Sequence, residues 1–72
     1  MARQDPRQIL SKRLTQRMNK LGITKAELAR RSGLPWLTVQ RIERASTDPH
    51  LSTIESLAAA LDVPLAALLG WF

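Results

Sequence analysis

Apolar side chains recur every three or four positions along most of this chain, which is the spacing of an amphipathic helix. No stretch shows the strict alternation of apolar and polar residues that indicates a half-buried strand. The pattern therefore predicts an all-α chain, in which helix one begins at Asp5 and is ended by Gly22. Its inward side is predicted to carry five apolar residues: Ile9, Leu10, Leu14, Met18 and Leu21.

A second helix is predicted to begin after Thr24. Thr24 is a favourable N-cap, and Glu27 three residues later completes the pattern of a capping box. Gly33 falls where a helix ends and the backbone needs a left-handed residue. A third helix then runs from about position 35 or 36 to Arg44, and its inward side chains are Val39 and Ile42. Two helices around a glycine turn form the pattern of a helix-turn-helix.

Two further helices are predicted near the C-terminus. Ser52 and Glu55 have the spacing of a capping box and predict the start of a fourth helix. Pro64 suits the start of a fifth helix, and Gly70 suits its end. The sequence thus predicts five short helices around one core.

The length of 72 residues allows one domain. Residues 1–4 are predicted to be a flexible N-terminal arm, and residues 5–72 a single domain. The chain has no cysteine, which excludes disulfides and thiolate metal sites and is compatible with a cytoplasmic protein. The longest uncharged run, residues 63–72, is about half as long as a membrane span, so no membrane partner is expected.

The charges are distributed unequally along the chain. All eleven lysines and arginines lie in residues 1–44, where three carboxylates leave a net charge of +8. Residues 45–72 contain three carboxylates and no lysine or arginine, which gives −3. Because the positive charge coincides with the two-helix unit, we expect a polyanionic partner on that side of the molecule.

The run TKAELARRSGL, followed at fixed spacing by TVQRIER, resembles the helix-turn-helix family of the phage lambda and 434 repressors and Cro. The resemblance continues through PHLSTIESLAAALDVP and covers roughly residues 9–69. It implies a five-helix lambda-repressor-like DNA-binding domain with the helix-turn-helix at helices two and three. It also implies a cytoplasmic, repressor-like transcription regulator that binds double-stranded DNA as a homodimer.

Helix three is the expected reading helix, because a helix fits the major groove of DNA. The resemblance places base contacts at Trp36, Leu37 and Arg41, and a phosphate contact at Arg44. Thr24 and Lys25 are expected to bind phosphate, because the start of helix two combines unpaired backbone N–H groups with a cation. The expected DNA surface therefore comprises Thr24, Lys25, Trp36, Leu37, Thr38, Gln40, Arg41 and Arg44.

The chain departs from the family pattern at five positions. Trp36 and Leu37 replace polar residues, so they either contact DNA, for example at thymine methyl groups, or pack on the domain or on a protein partner. Pro35 removes the usual side-chain cap of helix three. Met18 replaces an arginine that pairs with the residue matching Glu43, so Glu43 needs another basic partner or water. Finally, a glycine commonly stands at the position of Ala45.

The C-terminal segment is crowded with apolar residues, and we expect some of them to form a homodimer interface through helix five: Leu65, Leu68, Leu69, Trp71 and Phe72. The alternative is a monomer with Trp71 folded on its own core. His50 is isolated from other metal-ligating residues, so no metal is assigned. No cofactor, no small-molecule effector and no enzymatic activity are expected. Two other functions remain open: a protein-interaction module such as an antitoxin or anti-repressor, and a non-specific DNA binder.

Overall fold

The computed structural model describes residues 5–70, which form an all-helical domain. The predictions for residues 1–4, Trp71 and Phe72 lie outside these described residues. Five helices and no strand occur in the described range: α1 (Pro6–Leu21), α2 (Lys25–Ser32), α3 (Trp36–Glu43), α4 (Leu51–Ala60) and α5 (Leu65–Leu69). None of these helices has the length and apolar character that crossing a membrane requires. The predicted fold class and helix order are confirmed.

The start and end of α1 follow the sequence signals. The Asp5 carboxylate caps the helix by accepting a hydrogen bond of 2.9 Å from the Arg7 backbone N–H. Gly22 ends the helix with a left-handed backbone, at a φ of 69°. The predicted inward side is only partly correct, because Leu21 is 39% exposed and Ile9 is half-buried. The buried residues of α1 are Leu10, Leu14 and Met18.

The predicted start of α4 is wrong by two residues. The N-cap is His50, and Ser52 lies inside the first turn without capping the helix. The carbonyl of His50 accepts hydrogen bonds from the backbone N–H groups of Thr53 and Ile54, at 3.0 and 3.2 Å. The first turn therefore already contains Ser52, and Glu55, whose N–H group a capping box would offer to the Ser52 hydroxyl, lies inside the helix.

One hydrophobic core joins the helices. Its largest fully buried side chains come from every helix and from the residue that follows α4: Leu14, Leu28, Val39, Ile42, Leu57, Leu61 and Leu68. The helix α1 packs against α3 and α5, α2 packs against α3 and α4, and α4 packs against α5. The two-helix unit α2–α3 is thus held from behind by α1 and α4.

Candidate nucleic-acid interface

Local hydrogen bonds fix the start of α2 and the turn that follows it. The Thr24 hydroxyl accepts a hydrogen bond of 3.1 Å from the Glu27 backbone N–H and so caps α2. Gly33 has a φ of 74°, and its N–H donates to the Ala29 carbonyl at 3.0 Å. A left-handed backbone at this position favours glycine, as the sequence predicted. The turn directs the chain from the end of α2 into α3.

The helix α3 is anchored on one side and exposed on the other. Val39 and Ile42 are buried and hold the helix on the core. Trp36 is 47% exposed and Leu37 is 49% exposed, so about half of the surface of each residue is accessible to solvent. Arg41 is exposed as well. The structure therefore places the three residues expected to read bases on the solvent side of α3.

The end of α3 contains a left-handed residue that is not glycine. Ala45 has a φ of 58°, and its N–H donates to the Ile42 carbonyl at 3.0 Å. The Ser46 N–H donates to the Arg41 carbonyl at 3.0 Å, which completes a Schellman motif. Arg44, the C-cap residue, is exposed. Pro35 provides no side-chain cap at the other end, as expected.

The side chain of Lys25, in α2, contacts two side chains of α3, those of Glu43 and Trp36. Its Nζ atom lies 3.7 Å from a carboxylate oxygen of Glu43 and 5.5 Å from the centre of the Trp36 ring. Lys25 is therefore the basic partner that Glu43 has in place of the family's arginine. The position of that arginine is occupied by Met18, which is buried in the core as expected. The ammonium group of Lys25 favours the Trp36 face electrostatically.

The other expected contact residues differ in exposure. Thr24 is exposed, whereas Thr38 and Gln40 are half-buried. Arg41 and Arg44 take part in none of the ion pairs formed among residues 5–70, so their charges are available to a polyanion. Arg41 and Arg44 are thus exposed on α3 and at its C-cap, whereas Lys25 is paired with Glu43.

Four polar interactions were not predicted from the sequence. Glu27 pairs with Arg30 and Arg31, at 2.5 and 2.9 Å, and these two guanidinium groups lower the pKa of its carboxyl group. The spacing of three and four residues was a usable signal for both pairs. The Ser11 hydroxyl donates to the Glu43 carbonyl, and Arg17 Nε donates to the Leu61 carbonyl at 3.0 Å. Those two contacts join distant segments and have no local signal.

The chain is similar to known proteins in sequence and structure. A family model described as Helix-turn-helix matches residues 14–68. The crystal structure of a hypothetical transcription factor, NHTF, from Neisseria is 37% identical, with a TM-score of 0.87 over 90% of this chain and 75% of that one.

A second crystal structure, of the restriction-modification controller protein C.AhdI from Aeromonas hydrophila, is 32% identical. Its TM-score is 0.80, and the match covers 83% of this chain and 91% of that one. No curated protein matches the chain by sequence. The residues that the family model matches include all of α2 and α3.

Proposed function

The chain belongs to the helix-turn-helix family, and from this membership we propose that it binds a specific double-stranded DNA sequence through α3 and represses transcription. The family and the two structural neighbours place the chain among non-enzymatic DNA-binding regulators. The proposal adds to this that the target is a specific double-stranded DNA sequence and that binding represses transcription. Repression follows from occupancy, because a protein bound in the major groove at a promoter blocks access of the polymerase.

The observation that carries the proposal is that Arg41 is exposed on an anchored helix and forms no ion pair with residues 5–70. A guanidinium in the major groove can donate two hydrogen bonds to one guanine, a preference of about 1–3 kcal/mol over other bases. Because Val39 and Ile42 fix α3 on the core, the position of Arg41 is determined by the fold. Trp36 and Leu37 lie one turn earlier and offer apolar contact to thymine methyl groups.

Phosphate contacts supply the remaining affinity in this proposal. Thr24 and Lys25 lie at the start of α2, where backbone N–H groups favour an anion. Arg44 follows the last residue of α3 and is exposed. Thr38 and Gln40 are half-buried and are proposed as secondary contacts at the edge of the same surface. These groups surround the base-reading side chains and would fix the orientation of α3.

The test begins with selection of bound duplexes from a random pool, followed by titration of the selected duplex. Arg41→Ala is expected to weaken binding to the selected duplex about tenfold or more, and to affect a random duplex much less. Lys12→Ala is the matched control, since it removes one exposed positive charge from α1 and leaves α2 and α3 intact. A pool that yields no preferred sequence contradicts specific binding and favours the non-specific DNA binder.

We also propose that two copies associate through α5. Leu68 is buried and belongs to the core, but Leu65 and Leu69 are only partly buried and retain apolar surface at the edge of the domain. A two-fold dimer would place two copies of α3 on half-sites about one helical turn of DNA apart. Light scattering after gel filtration at micromolar concentration measures the mass, and a monomer mass contradicts this part of the proposal.

The exposure of Trp36 and Leu37 supports a second candidate function, a protein-interaction module. Two large apolar side chains next to each other on an exposed helix resemble the aromatic anchor of a protein interface. Under this alternative, Trp36→Ala abolishes binding of a protein partner, and Arg41→Ala has little effect. Under the DNA-binding proposal, Arg41→Ala instead weakens binding of the selected duplex in the titration.

A further inference from the structure

An open cavity of about 200 Å³ lies between α1 and α5, and none of its lining residues belongs to α2, α3 or the turn that joins them. Its α1 wall is polar and consists of Arg13, Gln16, Arg17 and Lys20. Its other wall is apolar and consists of Val63, Ala67 and Leu68. The cavity therefore combines positive charge on one wall with hydrocarbon on the other.

The three cations share one side of α1 because their spacing is four and then three residues. Arg13 and Lys20 are exposed, and Arg17 is half-buried. None of the three takes part in an ion pair among residues 5–70. Three like charges on one wall repel one another, so an anion placed among them would be favoured by all three.

Arg17 is held in place by the fold. Its Nε atom donates a hydrogen bond of 3.0 Å to the carbonyl of Leu61, a residue that is completely buried at the end of α4. The two terminal nitrogens of the guanidinium make no hydrogen bond to residues 5–70. A planar guanidinium with its Nε fixed and its terminal N–H groups available matches the geometry of a carboxylate.

The apolar wall adds a second requirement for the ligand. Leu68 is buried beneath the cavity, and the half-buried Val63 and Ala67 form its side. A cavity of about 150 Å³ lined by apolar side chains is large enough for benzene. The volume here therefore fits one ring, or a short alkyl chain, together with an acid group.

We infer that the cavity between α1 and α5 binds a small amphipathic carboxylate, in which an acid group is attached to an aromatic ring or a short alkyl chain. The carboxylate accepts hydrogen bonds from Arg17 and lies between Arg13 and Lys20, while the apolar part contacts Val63 and Ala67. A simple inorganic anion would use only the charged wall, and a neutral aromatic molecule only the apolar wall. This inference is independent of DNA binding, because the cavity shares none of the residues proposed to contact DNA.

The experiment is a titration of the 15N-labelled full chain with phenylacetate, followed by two-dimensional NMR. We expect saturable shifts confined to α1, α5 and the end of α4, with a dissociation constant of about 1 mM for so small a ligand. Phenylacetamide, which keeps the ring and loses the charge, and acetate, which keeps the charge and loses the ring, are each expected to bind at least about tenfold more weakly.

Variants separate this site from general attraction to a basic surface. The double variant Arg13→Gln/Lys20→Gln is expected to weaken phenylacetate binding about tenfold, since each exposed charge contributes about threefold. Ala67→Leu keeps α5 helical and fills the cavity, so binding is expected to be lost. Lys12→Gln is the control, because it removes an exposed charge of the same helix that does not line the cavity.

Four outcomes overturn the inference. One is the absence of saturable shifts at millimolar phenylacetate. Another is equal binding of phenylacetate and phenylacetamide, and a third is equal binding of phenylacetate and acetate. The fourth is an equal effect of Lys12→Gln and of the double variant. Thermal melts of all variants confirm that each is folded, so that a lost signal reports lost binding.

Discussion

At the scale of single residues, two positions adopt a left-handed backbone without being glycine. Ala45 and Asp62 have φ values of 58° and 56°. Each follows the end of a helix and donates its N–H group into a Schellman motif, Ala45 after α3 and Asp62 after α4. The motif requires this backbone, which costs an L-residue roughly 1–2 kcal/mol. The resemblance pointed to Ala45, whereas Asp62 was not predicted, because asparagine and aspartate tolerate this conformation without marking it.

Replacing Ala45 by glycine is therefore expected to stabilise the domain. Removing the Cβ atom relieves the strained backbone, and the added flexibility of the unfolded chain offsets part of the gain, which leaves about 0.5–1 kcal/mol. The matched control is Ala59→Gly, at an exposed position in the last turn of α4, which should instead destabilise, by up to about 1 kcal/mol. Urea unfolding measures both values. A loss of stability in Ala45→Gly would show that the backbone there carries no strain.

The ion pairs of Glu27 predict a pH dependence of stability. Arg30 and Arg31 lower the pKa of this carboxyl group below its ordinary value of 4.5. In acid the unfolded chain binds a proton before the folded one does, so the stabilisation is present above pH 4.5 and is lost as the pH falls through the lowered pKa. Thermal melts of the wild type and Glu27→Gln are expected to differ at neutral pH and to converge in acid.

The titration of Asp5 does not disturb the comparison of wild type with Glu27→Gln. Hydrogen bonds from Arg7 also lower the pKa of Asp5, so its titration destabilises the folded state in the same direction. Because Asp5 is unchanged in both proteins, its contribution cancels in the difference between their melting temperatures. A difference that stays constant from neutral pH into acid would show that the Glu27 pairs contribute nothing.

At the scale of helices, predictions from the sequence succeeded where the signal was local. Asp5 and Thr24 cap α1 and α2, and Gly22 and Gly33 end them, because caps depend on the few residues around them. The start of α4 was misplaced since Ser52 carries the same local signal as a true cap. The partner of Glu43 depends on how α2 and α3 cross. That contact joins residues 25 and 43, and no local pattern specifies it.

The junction of Lys25, Glu43 and Trp36 is expected to stabilise the α2–α3 pair. A double-mutant cycle with Lys25→Met and Glu43→Gln should give a coupling of about 0.5 kcal/mol in the free energy of unfolding, as both side chains are partly exposed. A parallel cycle with Lys25→Met and Trp36→Leu should give about 0.5–1 kcal/mol. Lys20→Met with Glu43→Gln is the control pair. A coupling near zero in both test cycles would show that the contacts do not join the helices.

At the scale of the whole molecule, charge and packing divide the chain in different ways. The positive residues end at Arg44, just where α3 ends, and the −3 segment begins with the loop that leads to α4. The core includes helices from both sides of this boundary, since α2 packs on α4 and α1 packs on α5. A single hydrophobic core therefore carries a cationic first part and an anionic second part. The charge division can be counted in the sequence, whereas the cavity between α1 and α5 could not be predicted from it, because the cavity depends on how two helices that are distant in sequence face each other.

The charge division predicts how salt acts on DNA binding. Each phosphate neutralised by a cation releases bound counterions, so the logarithm of the affinity should fall linearly with the logarithm of the salt concentration, by about 0.9 for each phosphate contact.

Arg44→Ala, which removes an exposed phosphate-binding candidate, is expected to reduce that slope by about one. Arg41→Ala is expected to weaken binding to the selected duplex with a smaller change of slope, because its guanidinium bonds to a base. Fluorescence anisotropy over a series of salt concentrations distinguishes the two variants. Equal slopes for wild type and Arg44→Ala would remove Arg44 from the phosphate contacts, and a flat response of the wild type would show that the positive segment meets no phosphate backbone.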